Sequence, residues 1–198
     1  MDADAPIVHI VKSPEEKPKS FFEIAIKKVL LHEGGFADDH IDNGEVTNRG
    51  ISLRWLRSAG IDIDNDGDVD YEDVKNLTLQ QAKKLYYDKW WKPQKYEKLD
   101  DVELATKMFD MSINMGTKQA IKIVQTALNE VHLREVVKVD GVFGLRTVMM
   151  LNKVSDGPNL PVLMGLIRRG QADFYKRLIK RNPALKKFAN GWAVRAAS

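Results

Sequence analysis

The sequence has no cysteine, which excludes disulfide bridges and thiolate metal sites. It also has no apolar run approaching the roughly 20 residues that span a bilayer, so membrane insertion is not expected. The start of the chain lacks the basic-then-apolar order of a secretory signal. Excess charge is small: 31 Lys and Arg against 28 Asp and Glu leave a net charge of +3. That excess is too small to argue for a nucleic-acid partner. Only His9, His32, His40 and His132 supply imidazoles, and they show no ligand spacing, so a zinc site is not expected. What is present is 198 residues, 43% hydrophobic and 30% charged, enough to bury a sizeable globular core without staples.

Residues 1–19 carry Pro6, Pro14 and Pro18 among charged side chains, a composition that predicts a flexible tail. Ser20 and Glu23 then have capping-box spacing. Phe22, Ala25, Ile26, Val29 and Leu30 recur at helical period, predicting an amphipathic helix stopped by Gly34 and Gly35. Residues 34–50, rich in Gly and Asx, read as an irregular loop or short β-hairpin. Further helices are expected over 52–59, from Thr78, at capping-box spacing from Gln81, to Trp91, and from Asp101, with Val102, Ala105, Phe109, Ser112 and Ile113 inward, to a stop at Gly116. Thr117 is expected to cap the next, and others follow over 145–151, from Leu160 to Asn182 with Leu163, Ile167, Phe174 and Leu178 inward, and around 188–195. In the Thr78 helix, Leu79, Ala82, Tyr86 and Trp90 share one face, so Trp90 should pack inward and Trp91 outward. The expected fold class is mainly α, with a small irregular or β region directly after the first helix.

Glu33 continues the buried stripe of that first helix, three and four residues beyond Leu30 and Val29. A charge on an apolar face is expensive unless paired or functional. The position also lies at the negative end of the helix dipole, and both effects disfavour the ionised carboxylate. A carboxylic acid kept protonated is what a general acid requires. The ordinary alternative is a glutamate solvated at a frayed helix end.

Residues 62–73 carry Asp62, Asp64, Asp66, Gly67, Asp68, Val69, Asp70 and Asp73. This matches the calcium-loop pattern at its first, third and fifth positions, its turn glycine and its following apolar residue. Asp62, Asp64 and Asp66 would ligate through side chains, Asp68 through its carbonyl, and Asp70 directly or through water. Asp73 stands where a longer Glu is usual. A structural calcium ion is expected; the alternative is a solvated acidic turn without one.

The Glu33-Gly34-Gly35-Phe36 helix end, followed by Asp39, Asp42, Gly44, Thr47, Gly50 and Ile51, resembles the motif of the glycoside hydrolase family 108 muramidases. Glu45 departs from it, standing where a second glycine is usual, and His40 and Asn43 stand where proline is common. Trp90-Trp91 and Phe109-Asp110 with Asn114 and Gly116 resemble later elements of the same family. Residues 139–144 with Thr147, and Gly191-Trp192 with Arg195, resemble the companion predicted peptidoglycan-binding region, so the likeness covers about residues 21–195.

This resemblance implies a lysozyme-like helical fold. It divides the chain into a tail, 1–19, a catalytic region, 20–110, containing the calcium-loop insert 62–73, and a helical peptidoglycan-binding region, 111–198, packed against it as one unit. It implies an N-acetylmuramidase, of the endolysin or secretion-activator type, that cleaves the β-1,4 bond between N-acetylmuramic acid and N-acetylglucosamine. Glu33 would be the general acid, and Asp42 and Thr47 would position the attacking water, giving inversion. Whether Asp39 or Asp42 is the second carboxylate stays open, as does a loop-ordering role for Thr47. Asp39, Asn48, Trp91 and Asn114 are the candidate substrate-binding residues, and catalysis needs no cofactor.

Peptidoglycan is the expected partner of a monomer acting at the cell wall, in the periplasm or outside the cell. Release through a holin as a phage or prophage protein, or a non-standard export route, would bring it there. Two other readings are a non-catalytic, calcium-braced wall-binding or secretion-accessory protein, and a lytic transglycosylase using Glu33 alone. Beyond Leu163 the basic residues, including Arg168, Arg169, Lys176, Arg177 and Arg195, are opposed in sequence only by Asp173. They read either as a wall-docking surface or as a solvated face.

Overall fold

The computed structural model describes residues 20–33, 37–39 and 45–198, without the side chains of 32, 33, 37–39 and 45. The tail 1–19 and Asp42 lie outside the described residues. Helix α1 (Phe21–Glu33) opens on the expected capping box: the Ser20 hydroxyl accepts the Glu23 N–H at 3.2 Å, and the Glu23 carboxylate accepts the Ser20 N–H at 3.0 Å. Its buried stripe is Ala25, Ile26 and Val29.

The region after α1 is a small antiparallel sheet of three strands, β1 (Ala37–Asp39), β2 (Glu45–Asn48) and β3 (Ile51–Ser52), in the order β1-β2-β3. Asp39 pairs with Glu45 and Ala37 with Thr47, while Thr47 pairs on its other side with Ser52. Arg49 and Gly50 both take positive φ, 53° and 78°, as the two-residue turn between β2 and β3 demands. Ser52 then caps α2 (Leu53–Ala59), accepting the Trp55 N–H, and Gly60 ends it in the left-handed conformation.

After the acidic loop come α3 (Tyr71–Lys75) and α4 (Leu79–Tyr86), the latter opened by the Thr78–Gln81 capping box. A π-helical turn, Tyr87–Trp91, continues α4 and leads to the single turn α5 (Lys92–Gln94). Here the sequence expectation fails. A π turn inserts one extra residue, so the buried row passes from Tyr86 to Trp91 rather than to Trp90. Trp91 is 2% exposed and packs edge-on against Phe22, Tyr96 and Phe109. Trp90, expected inside, is half-buried and stacks on Trp55 with centroids 4.9 Å apart.

The centre of the core is α6 (Val102–Met115), capped by Asp101 and buried at every residue from Leu104 to Ser112. It packs against α1 on one side and α7 (Thr117–Val131) on the other. Thr117 is the first residue of α7 rather than its cap; Gly116 holds the cap position at φ 84°, and no side chain caps this end. Then follow α8 (Leu145–Ser155), α9 (Leu160–Arg181) and α10 (Ala189–Ala197). The buried row of α9 is Leu163, Met164, Ile167, Gln171 and Tyr175, shifted from the expected Phe174 and Leu178.

Residues 139–144 wrap around buried Gln125. Its amide donates to the Asp140 carboxylate and the Val142 carbonyl and accepts the Gly141 N–H, which holds the Asp140 carboxyl below its ordinary range. Gly141 is required there, since a Cβ would sit 2.6 Å from the Lys118 side chain.

The last helix ties the two regions together. Buried Lys107 of α6 donates to the Arg195 and Ala196 carbonyls, both at 3.0 Å, and Lys28 of α1 donates to the Ser198 carbonyl at 2.8 Å. These are orphan carbonyls of a helix end, met by cations at the negative pole of its dipole. Among the described residues, no helix is long and apolar enough to cross a membrane.

Candidate active site and acidic loop

Glu33 is the last residue of α1, and the sheet is the next element in sequence. The helix is held against α6 by Ala25, Ile26 and Val29, and the Phe22 ring packs 6.0 Å from Phe109. The sheet beyond it carries Asp39 at the end of β1 and half-buried Thr47 in β2, two ladder steps apart. Asp42, between those strands in sequence, lies outside the described residues.

Asn48 departs from its expected role at the substrate. It is 5% exposed, and its side-chain amide donates to the carbonyls of Val74 at 2.8 Å and of Lys75 and Leu77 at 3.4 Å. Those carbonyls belong to the end of α3 and the turn beyond it, so Asn48 satisfies groups that the short helix cannot. The cause is register: in β2, Val46 and Asn48 are both buried, and alternation puts them on the core face. Trp91, sealed in the aromatic core, is corrected likewise, while the neighbouring Trp90 is half-buried against Trp55.

Asn114 is exposed near the end of α6, and its carbonyl oxygen accepts the Tyr175 hydroxyl at 2.6 Å. Gln171 in turn donates to that hydroxyl at 2.9 Å. Asn114 lines a groove of about 470 Å³ with Lys187, Phe188, Gly191, Trp192 and Arg195. Tyr175 and Trp192 stack 4.8 Å apart at 15°, and Phe188 extends the row. Arg195, read from sequence as one of several surface cations, is 7% exposed, with its Nε 3.8 Å from the buried Asp110 carboxylate. The Tyr175–Gln171 pair was missed in the sequence because the row was placed on Phe174; the i, i+4 spacing of Gln171 and Tyr175 was its available signal.

The acidic loop folds on its own carboxylates. Asp62 accepts the Asn65 and Gly67 N–H groups, and Gly67, at φ 105°, makes the turn between them. The Gly67 bond is the first reason its carboxyl lies below the ordinary range. Asp64 is pushed up by desolvation and then by the charge of Asp66; Asp68 is pushed up first by Asp66. Oxygens of Asp62, Asp64 and Asp66 lie within 4.8 Å of one another, and so do those of Asp68, Asp70 and Asp73. Asp70 and Asp73 form a capping box on α3, and buried Asp73 also accepts the Ile63 N–H. Each carboxylate oxygen offers more than one lone pair, so these bonds leave capacity for a cation.

Residues 26–116 match the family described as Glycosyl hydrolase 108, and residues 119–197 match the one described as Predicted Peptidoglycan domain. A comparison with curated proteins found no match. Among solved structures, the one described as "Structure of Brucella abortus SagA" superposes with a TM-score of 0.68 at 24% identity, over 89% of each chain. At that identity the likeness speaks for the fold, a mostly helical lysozyme-like one with a small sheet. Residues 26–116 thus match the glycosyl hydrolase 108 family and the chain continues into a match to a peptidoglycan domain, the pairing of a hydrolase that acts on peptidoglycan at the cell wall.

Proposed function

We propose that the protein is an N-acetylmuramidase that hydrolyses the β-1,4 bond between N-acetylmuramic acid and N-acetylglucosamine. The observation that carries this reading is the position of Glu33. It closes a helix fixed in the core and is followed in sequence by β1, which carries Asp39 and pairs with the strand bearing Thr47. Glu33 would protonate the leaving oxygen, and a water activated from the opposite face would attack the anomeric carbon. Asp42 and Thr47 are assigned to that water, with inversion as the outcome; Asp39 is the alternative second carboxylate. The Asn114 groove, with its amide and aromatic faces, suits the N-acetyl and ring surfaces of the glycan.

Calcium would serve this site as a brace. Asp62, Asp64, Asp66 and Asp68 offer the hard oxygen donors it prefers, with Asp70 and Asp73 completing the set. The loop ends in α3, whose last carbonyls Asn48 holds, and Asn48 is next to Thr47. Ordering the loop would therefore stiffen the strand that carries the catalytic threonine, making Asn48 a positioning residue.

Mass spectrometry of the fragments released from purified peptidoglycan tests the reaction type. Hydrolysis at the proposed bond yields reducing N-acetylmuramic acid ends. Anhydro-muramic ends would make the protein a transglycosylase, and reducing N-acetylglucosamine ends would put the cut at the other bond.

A further inference from the structure

The charged residues of α9 that the sequence left as either docking surface or solvated face border a second groove, remote in sequence from Glu33. It lies between α7 and α9, with a volume of about 380 Å³. Its floor is set by the closest approach of the two helices: a Cβ on Gly170 would sit 2.7 Å from the Ile123 methyl. One wall presents Lys122, Thr126 and Glu130 at successive turns of α7; the other presents Arg169, Asp173 and Arg177 at successive turns of α9. The groove runs on into an apolar surface bearing Leu133, 94% exposed, with Val139 and Val162.

We propose that this groove binds the stem peptide of peptidoglycan, holding the substrate by its peptide while the glycan occupies the cleft. The inference rests on the reading of the protein as a peptidoglycan hydrolase. Among the described residues no aromatic side chain lines either part of the groove, which gives it none of the faces on which sugars or bases stack. Its walls carry both signs of charge in alternation. A stem peptide offers the complement: small alanyl methyls, carboxylates, and the ammonium group of its diamino acid. Length agrees too. From Gln119 to Glu130 the helix rises about 17 Å, and five residues of extended peptide span about 17 Å. Arg169 already pairs with Glu130, both largely exposed. Such surface pairs contribute little, so a ligand carboxylate can displace Glu130 without a large penalty. The groove lies wholly within the region matching the peptidoglycan domain.

Titration of the full-length protein with the free tetrapeptide alanyl-γ-glutamyl-diaminopimelyl-alanine, by calorimetry or NMR, tests this. Binding should weaken at least about fivefold in Arg169→Ala and in Arg177→Ala, be lost in the groove-filling Thr126→Trp, and stay unchanged in the remote Lys153→Ala. It should also persist in Glu33→Gln, where turnover is removed. No binding by wild type, or equal binding by the two arginine variants, overturns the proposal. If peptidoglycan is still cleaved in that case, the muramidase reading stands without it. Conversely, peptide binding that follows this pattern without cleavage supports the groove and removes the enzyme reading.

Discussion

Lys107 shows how one residue can carry a charge into the core for a structural purpose. Its amine lies under α10, between two carbonyls, and burial is the main cause pushing its pKa down to about 8 from an ordinary 10.5; the nearby Asp110 opposes that shift. A group whose folded pKa is depressed adds stability as pH rises through the interval between its two values. Wild type should therefore gain stability relative to Lys107→Met from about pH 8 to pH 10.5, by up to about 1.4 kcal/mol per pH unit. Differential scanning calorimetry of the pair across that range checks it; a melting-temperature difference independent of pH would contradict the assignment. At this scale the sequence was partly readable. Ser20 with Glu23, and Thr78 with Gln81, announced their capping boxes because both partners lie within one turn. Lys107 did not, because its partners are 88 and 89 residues away.

Elements were legible where their period was regular and illegible where it broke. The middle of each expected row is buried, Ala25, Ile26 and Val29 in α1 and Ala105, Phe109 and Ser112 in α6, while Phe22, Leu30, Val102 and Ile113 toward the helix ends are half-buried. The π turn at 87–91 was invisible to a helical-period reading, and one extra residue exchanged the roles of Trp90 and Trp91. Likewise the acids that answer the α9 cations, Glu103 at 2.8 Å from Arg168 and Glu130 beside Arg169, sit on α6 and α7, which only the fold brings near. The acidic loop was legible as a pattern because its residues bond to one another over a few positions. What its geometry adds is the link through α3 to Asn48, which predicts a measurable coupling. Added calcium should raise the melting temperature by several degrees, since a bound ligand stabilises the folded state by mass action. The rise should disappear with chelator and be absent in an Asp64→Ala, Asp66→Ala double variant. An unchanged melting temperature, or an equal rise in the double variant, would leave the loop as an ion-free acidic turn.

In the whole molecule, the two matched regions meet along α6 and α7, and α10 returns to be fastened by Lys28 and Lys107. The groove that joins them combines Asn114 from the hydrolase region with Phe188 and Trp192 from the peptidoglycan domain. In the proposed function glycan recognition would therefore draw on both matched regions, whereas the sequence reading places Asn114 with Phe188 and Trp192 in one, 111–198. In the proposed function this assembly presents Glu33 as the acid that cleaves the glycan. Its most direct test is turbidity loss of purified peptidoglycan with wild type and with Glu33→Gln, the variant first shown to have an unchanged fold by circular dichroism and unchanged sedimentation with the insoluble wall. Removing a general acid commonly costs about 100-fold to 10,000-fold in rate, so the variant should bind the wall and leave its turbidity standing. A Glu33→Gln protein that clears peptidoglycan as fast as wild type would contradict the account.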